Sequence, residues 1–262
     1  MTEFERLVDI MRKLRKPDGC PWDREQTHET LKPYLIEEAY ELLDAIDSGD
    51  DHEIILELGD VLLQVVFHAQ VASETARFSI EDVARAIAEK LVRRHPHIFG
   101  DVSAEDSETV ITNWETIKRE EKKSKGQEQM GLFDDIPRQL PALMRAQAIQ
   151  KKAARVGFDW DEIAEVTAKA REEVAEFVEA VDKGAAYEIE EELGDLLFSL
   201  VNIARFVDVN PEEALTKTNQ KFLSRFAYIE RKLAERGSTP AEATLEEMDD
   251  LWEEAKKPGN IT

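Results

Sequence analysis

Five acids, Glu37, Glu38, Glu41, Glu57 and Asp60, return 135 positions later as Glu172, Glu173, Glu176, Glu192 and Asp195. The two stretches align without a gap from Glu37 to Leu62, and Ala45/Ala180, Asp47/Asp182, Gly49/Gly184 and Gly59/Gly194 match as well. Such a repeat implies two related domains. Residues three and four apart share a helix face, so Glu38 projects with Glu41 and Glu57 with Asp60. A tight turn at residues 47–51 folds the two helices antiparallel, and four carboxylates converge. At about 5 Å and an effective dielectric near 20, each ionised pair repels by roughly 3 kcal/mol. A cation must sit among them, or some must take up protons. All-oxygen donors select a hard cation, which favours Mg²⁺ over Ca²⁺, with Mn²⁺ able to substitute. The expected metal ligands are Glu38, Glu41, Glu57 and Asp60, and in the second copy Glu173, Glu176, Glu192 and Asp195. A di-iron bundle would need Glu-x-x-His on two helices, and neither signature holds a histidine. The bland alternative is a solvated acidic face.

A second layer is also repeated. Lys90/Arg94 and Lys221/Arg225 follow the acids, and Trp114/Lys118 and Trp252/Lys256 follow those, each pair at helical i, i+4 spacing. Alone, each pair is an ordinary surface or core feature; their recurrence in the same order marks a site. Metal-bound carboxylates hold a polyphosphate, cations neutralise its outer oxygens, and an aromatic plane stacks on a base. No Gly-x-x-x-x-Gly-Lys phosphate loop is present.

The elements that must position these groups are helices. Phe4, Leu7, Val8, Met11 and Leu14 recur at intervals of three and four, as do Phe222, Phe226, Ile229 and Leu233. The spacing predicts helices over Leu35–Ile46 and from His52 to about Thr75. It predicts their counterparts over Ala168–Val181 and from Tyr187 to about Val207, with stops at Gly49 and Gly184. Ser79 and Asn210-Pro211 open further helices. From Leu58 to Val71 the second helix is apolar almost all round, and its polar stripe is Glu57, Asp60 and Gln64; the copy has Glu192, Asp195, Ser199 and Asn202. A helix of that kind is central, and its stripe is expected to line an interior cavity. No alternating strand pattern is evident, so the fold class is all-α, with tandem helical bundles over residues 1–120 and 138–262 joined by a polar linker over 121–137.

The formal charge of −23 and pI near 4.7 argue against nucleic-acid binding through phosphate neutralisation. Cys20 is the single cysteine, which excludes an internal disulfide. The uncharged stretch Val61–Ser73 is too short to span a bilayer, and a cytoplasmic protein without membrane contact is expected.

With these motifs the sequence resembles the MazG family of nucleoside triphosphate pyrophosphohydrolases. The likeness runs through Gly19-Cys-Pro-Trp-Asp23, Glu37-Glu-x-x-Glu41, Glu57-Leu-Gly-Asp60, Arg93-Arg-His-Pro-His97, Val156-Gly-Phe-Asp-Trp160, Glu172-Glu-x-x-Glu176 and Glu192-Leu-Gly-Asp195. The resemblance implies tandem all-α domains that form a homodimer and cleave NTPs and dNTPs between the α and β phosphates with Mg²⁺. It implies nucleotide contacts from Lys169, Glu172, Lys221, Arg225, Trp252 and Lys256, and in the first copy from Lys90, Arg94, Trp114 and Lys118. Some members carry a lysine four residues before the glutamate of the second motif, where this chain has Glu188. The expected chemistry is in-line attack of metal-activated water on the α phosphorus, with Glu172 and Glu37 as bases. A narrower dUTP or phosphoribosyl-nucleotide hydrolase, or a non-catalytic metal-stabilised scaffold, are the alternatives at this point.

Overall fold

A computed structural model describes residues 1–100, 131–257 and 259, together with residues 106, 110, 117 and 121. Trp114 and Lys118 lie outside the described residues. Every regular element among the described residues is helical, in agreement with the all-α expectation. The chain divides into two compact units, Met1–Glu128 and Gln129–Thr262.

The first unit contains α1 (Glu3–Leu14), α2 (Pro21–Glu25), α3 (Lys32–Ser48), α4 (Asp51–Ser73), α5 (Ile80–Arg94) and α6 (Pro96–Phe99). A capping box starts α1: the Thr2 hydroxyl accepts from Glu5 N–H and the Glu5 carboxylate accepts from Thr2 N–H. The apolar face of α1 then packs on α4, and Met11 joins Leu31, Val66 and Phe67 in a buried cluster. Gly49 ends α3 in the left-handed region at φ 72°, where a residue without Cβ pays no steric cost. Asp50 immediately caps α4 by accepting from His52 N–H at 2.8 Å. This reversal makes α3 and α4 an antiparallel pair.

The second unit repeats the hairpin. Its helices are α7 (Ala142–Arg155), α8 (Ile163–Lys183), α9 (Ala186–Phe206), α10 (Pro211–Glu235) and α11 (Leu245–Ala255). Gly184, again at φ 72°, turns α8 into α9. The α8 helix begins five residues before the spacing predicts, because the Glu165 carboxylate accepts from Asp161 and Glu162 N–H and tethers the first turn. Asn210 caps α10 as expected, accepting from Glu212 and Glu213 N–H. Packed against α9 are α8 and α7, while α10 lies on α11 and α7; Ile229, Leu233 and Leu251 form the buried cluster there.

One expectation is corrected. α4 is not buried all round in a single chain: Val66 and Phe67 face α1, while Leu58, Leu62 and Val65 are exposed. By length and composition alone α4 passes for a membrane span, with mean hydropathy 1.6 and 22% of that window inside the protein. The acid-bearing hairpins have one covered face and one open apolar face.

Candidate active site

On the second hairpin, Glu173 from α8 and Glu192 and Asp195 from α9 offer carboxylate oxygens that all lie within 4.8 Å of one another. Helical spacing and the Gly184 reversal bring these three together, whereas Glu176, the fourth acid expected there, is not within that distance, nor is Asp60 in the first copy. Glu173 is 6% exposed. Burial, then repulsion from Glu176, Glu173 and Asp195, raises the Glu192 carboxyl above its ordinary value. Glu176 therefore belongs to the same electrostatic group. Lys169, one turn earlier on α8, places its ammonium 2.7 Å from both Glu172 and Glu173. These hydrogen bonds, Glu172 first, hold Lys169 well above the lysine range.

In the first hairpin Glu38, Glu41 and Glu57 likewise meet within 4.8 Å. Glu38 is raised by burial and then by Asp60 and Glu41, and Glu57 by burial and then by Glu41 and Asp60. One Glu57 oxygen is buried without a hydrogen-bond partner. Clustered oxygens, raised carboxyls and an orphaned acceptor are what a hard divalent cation would relieve, so both sets fit such an ion.

The two halves differ beside these acids. A cavity of about 500 Å³ adjoins the second cluster, bounded by Lys169, Glu173 and Asp195 and, further along α9, by Ser199 and Asn202. Gln150 on α7 also lines it. In the first unit the position matching Asn202 holds Phe67, which is buried in the core with the Arg15 guanidinium 5.4 Å from its ring. A cavity of about 300 Å³ in that unit is bounded by Val8, Arg12, Val66 and Gln70, and none of its four acids lines it.

The cationic layer is only partly assembled around the acids. Arg225 lies over the Trp252 indole at 5.3 Å, with Phe222 tilted against the same ring at 5.2 Å. Lys221 is exposed on α10, and Lys256, at the end of α11, pairs with Glu253. None of Lys221, Arg225, Trp252 and Lys256 lines the cavity. In the first unit Lys90 is exposed, whereas Arg94 and Arg93 both engage Glu121 at 2.6 Å and pull its carboxyl down to about 2. Of the two expected bases, Glu172 bonds Lys169, and Glu37 is exposed on α3. At the cavity wall, Phe158 and Asp159 belong to the Val156–Trp160 motif, whereas nothing in the sequence singles out Gln150 or Arg205, the ion-pair partner of Asp159.

A model of the MazG nucleotide pyrophosphohydrolase domain matches the chain twice, over residues 26–99 and 162–228. The chain belongs to the MazG family. Among its relatives, the nucleoside triphosphate pyrophosphohydrolase/pyrophosphatase MazG of Thermotoga maritima is 51% identical over 253 residues, 97% of this chain and 95% of that protein. The nucleoside triphosphate pyrophosphohydrolase of Escherichia coli K12 is 48% identical over 260 residues, 98% of each. A Bacillus subtilis protein, YabN, is 50% identical over 256 residues but extends further, the match covering 52% of it. Both MazG matches contain one acid-bearing hairpin, so the repeat seen in the residues is a repeat of MazG domains.

Proposed function

We propose that the chain hydrolyses nucleoside triphosphates to the monophosphate and pyrophosphate, a hydrolase acting on acid anhydrides, and that the carboxyl-terminal hairpin carries the turnover. The observation that carries this reading is the convergence of Glu173, Glu192 and Asp195 beside a cavity of nucleotide scale. The first hairpin has comparable acids, and Phe67 stands buried in the core at the position where Asn202 lines the second cavity.

Glu173, Glu176, Glu192 and Asp195 would hold Mg²⁺, or Mn²⁺ in its place, with Glu38, Glu41, Glu57 and Asp60 as the equivalent set. When bound, such an ion supplies Lewis acidity, acidifying water and neutralising phosphate charge. Glu172, exposed beside the cluster, accepts the proton of the attacking water, and Glu37 is its counterpart. Lys169 donates to the Glu172 carboxylate at 2.7 Å and so orients it beside the cluster. Lys221, Arg225, Trp252 and Lys256 approach the nucleotide from α10 and α11, and Lys90, Arg94, Trp114 and Lys118 fill that role in the first copy. Domains over 1–120 and 138–262, a cytoplasmic setting and a homodimer complete the reading.

The test is product analysis of α-labelled NTPs with Mg²⁺. Monophosphate and pyrophosphate are expected, and Glu192→Gln with Asp195→Asn should slow their release about 100-fold or more, the scale of losing a charge-stabilising group. Diphosphate and inorganic phosphate as products would refute the reaction. Undiminished turnover in that double variant would refute the placement.

A further inference from the structure

Gln150 is 7% exposed, and its Nε2 donates to the Phe198 carbonyl at 2.8 Å. That bond occupies the amide nitrogen and leaves Oε1 as the acceptor still to be satisfied. Oε1 is buried and has no hydrogen-bond partner, although Gln150 lines the cavity beside the acids. An unpaired buried amide oxygen costs about 1–3 kcal/mol, which a ligand N–H would recover. Ile149, Val166 and Phe198 give the same cavity apolar walls suited to a flat ring.

Asn202 supplies the complementary group. Its Oδ1 accepts from Arg205 Nε at 2.9 Å, and Arg205 is itself anchored by Asp159, so the amide is oriented with Nδ2 as its donor. Asp195, Ser199 and Asn202 share one face of α9, and at 1.5 Å per residue Asn202 stands about 10 Å along the axis from Asp195. That span matches the reach from an α phosphate held at the acids, across a ribose, to the far edge of a base. An acceptor paired with a donor is what a base edge meets, since each base offers an N–H beside an acceptor, as adenine does with its 6-amino group and N1.

We propose that this cavity seats the nucleobase and that Gln150 is a specificity-determining residue, its Oε1 accepting a hydrogen bond from a base N–H. Trp252 does not line this cavity, and its ring meets Arg225 and Phe222. The inference rests on the nucleotide-hydrolase reading of the adjacent acids. Such a seat would demand an N–H from any base it holds.

The probe is ATP against purine riboside 5′-triphosphate, which lacks only the 6-amino group, with AMP against purine riboside 5′-monophosphate in equilibrium binding. The wild-type chain is expected to favour the amino-bearing member about tenfold in kcat/KM and in Kd, the worth of one net hydrogen bond. In Gln150→Leu both ratios should fall to near unity. Equal treatment of the two bases by the wild-type chain overturns the proposal, and needs no variant to fold. So does a Leu variant that keeps the ratio, the result expected if Oε1 meets only water. Discrimination between monophosphates without triphosphate cleavage would keep the base seat and sink the hydrolase reading; cleavage without discrimination would do the reverse.

Discussion

At the scale of single residues, the acids that define the site also weaken the fold that carries them. Glu192 is raised by burial and by its neighbours, so folding disfavours its ionised form. A carboxyl raised in the folded state contributes stability that is complete below its unfolded pKa and is lost as pH climbs through the folded value. At neutral pH the metal-free protein has therefore lost that contribution. Glu192→Gln is expected to raise Tm in EDTA at pH 7 and to lose this gain as pH falls through the ordinary carboxylate range, where the wild-type group is itself neutral. Thermal unfolding across that range checks it; a lower Tm for the variant at pH 7 would contradict the assigned strain. On the cationic side, Arg225→Lys keeps the charge but loses the planar contact with Trp252, and KM for NTP should rise about threefold, as expected of a half-buried cation–π contact. The acids were legible because spacing and repetition both mark them. Gln150 was not: it sits on the inner face of α7 with Leu143, Ala146 and Ala153, and one amide in an apolar row has no partner in the sequence to give it meaning.

Elements succeed or fail here at their ends. Gly184 and Gly49 hold left-handed turns, and a Cβ at either would meet nothing within 4 Å, so a substitution there is resisted by backbone conformation alone. Gly184→Ala should cost about 1–2 kcal/mol, read from urea unfolding, and should lower metal affinity because α8 and α9 no longer hold their register. A substitution without effect on either would mean the turn does not set the hairpin. In the first unit, Arg15 is buried and binds Glu74 through two hydrogen bonds of 2.6 and 2.7 Å, tying the end of α1 to the end of α4. Those bonds hold the Glu74 carboxyl below its ordinary value, so they stabilise the unit above the unfolded carboxylate pKa and are lost as pH falls through the folded one. Glu74→Gln should cost about 1 kcal/mol at pH 7, discounted for a side chain about one-third exposed, and that cost should shrink as pH falls below the ordinary carboxylate range. Helix identity and both hairpins were readable from apolar period and glycine stops. The early start of α8 was not, since its cap is a glutamate reaching back from the first turn and not the usual short polar residue.

The whole molecule presents a mismatch between composition and burial. Leu43, Ile46, Ile55 and Leu58 on the first hairpin, and Val178, Val181, Leu193 and Leu197 on the second, are each at least 42% exposed. Exposed apolar rows of this kind mark interaction surfaces, and a second copy of this chain is the cover we propose. The apolar circumference of α4 reads in the sequence as the signature of a central helix, and among the described residues only part of it is covered. A second copy, placing like hairpin against like hairpin, would make α4 and α9 central. Association has to overcome charge as well, because it brings together two chains that each carry −23. Screening weakens that repulsion while leaving apolar burial intact, so raising salt from 0.05 to about 0.5 M should tighten the dimer, opposite to an interface built on ion pairs. Leu197→Glu is expected to give monomers in sedimentation velocity and to reduce pyrophosphate release about 100-fold, because an unpaired hairpin no longer fixes Glu192 and Asp195 on the same helix. A wild-type chain that sediments as a monomer at assay concentration with full activity, or a dimer that dissociates as salt is added, would show that these faces have a different cover.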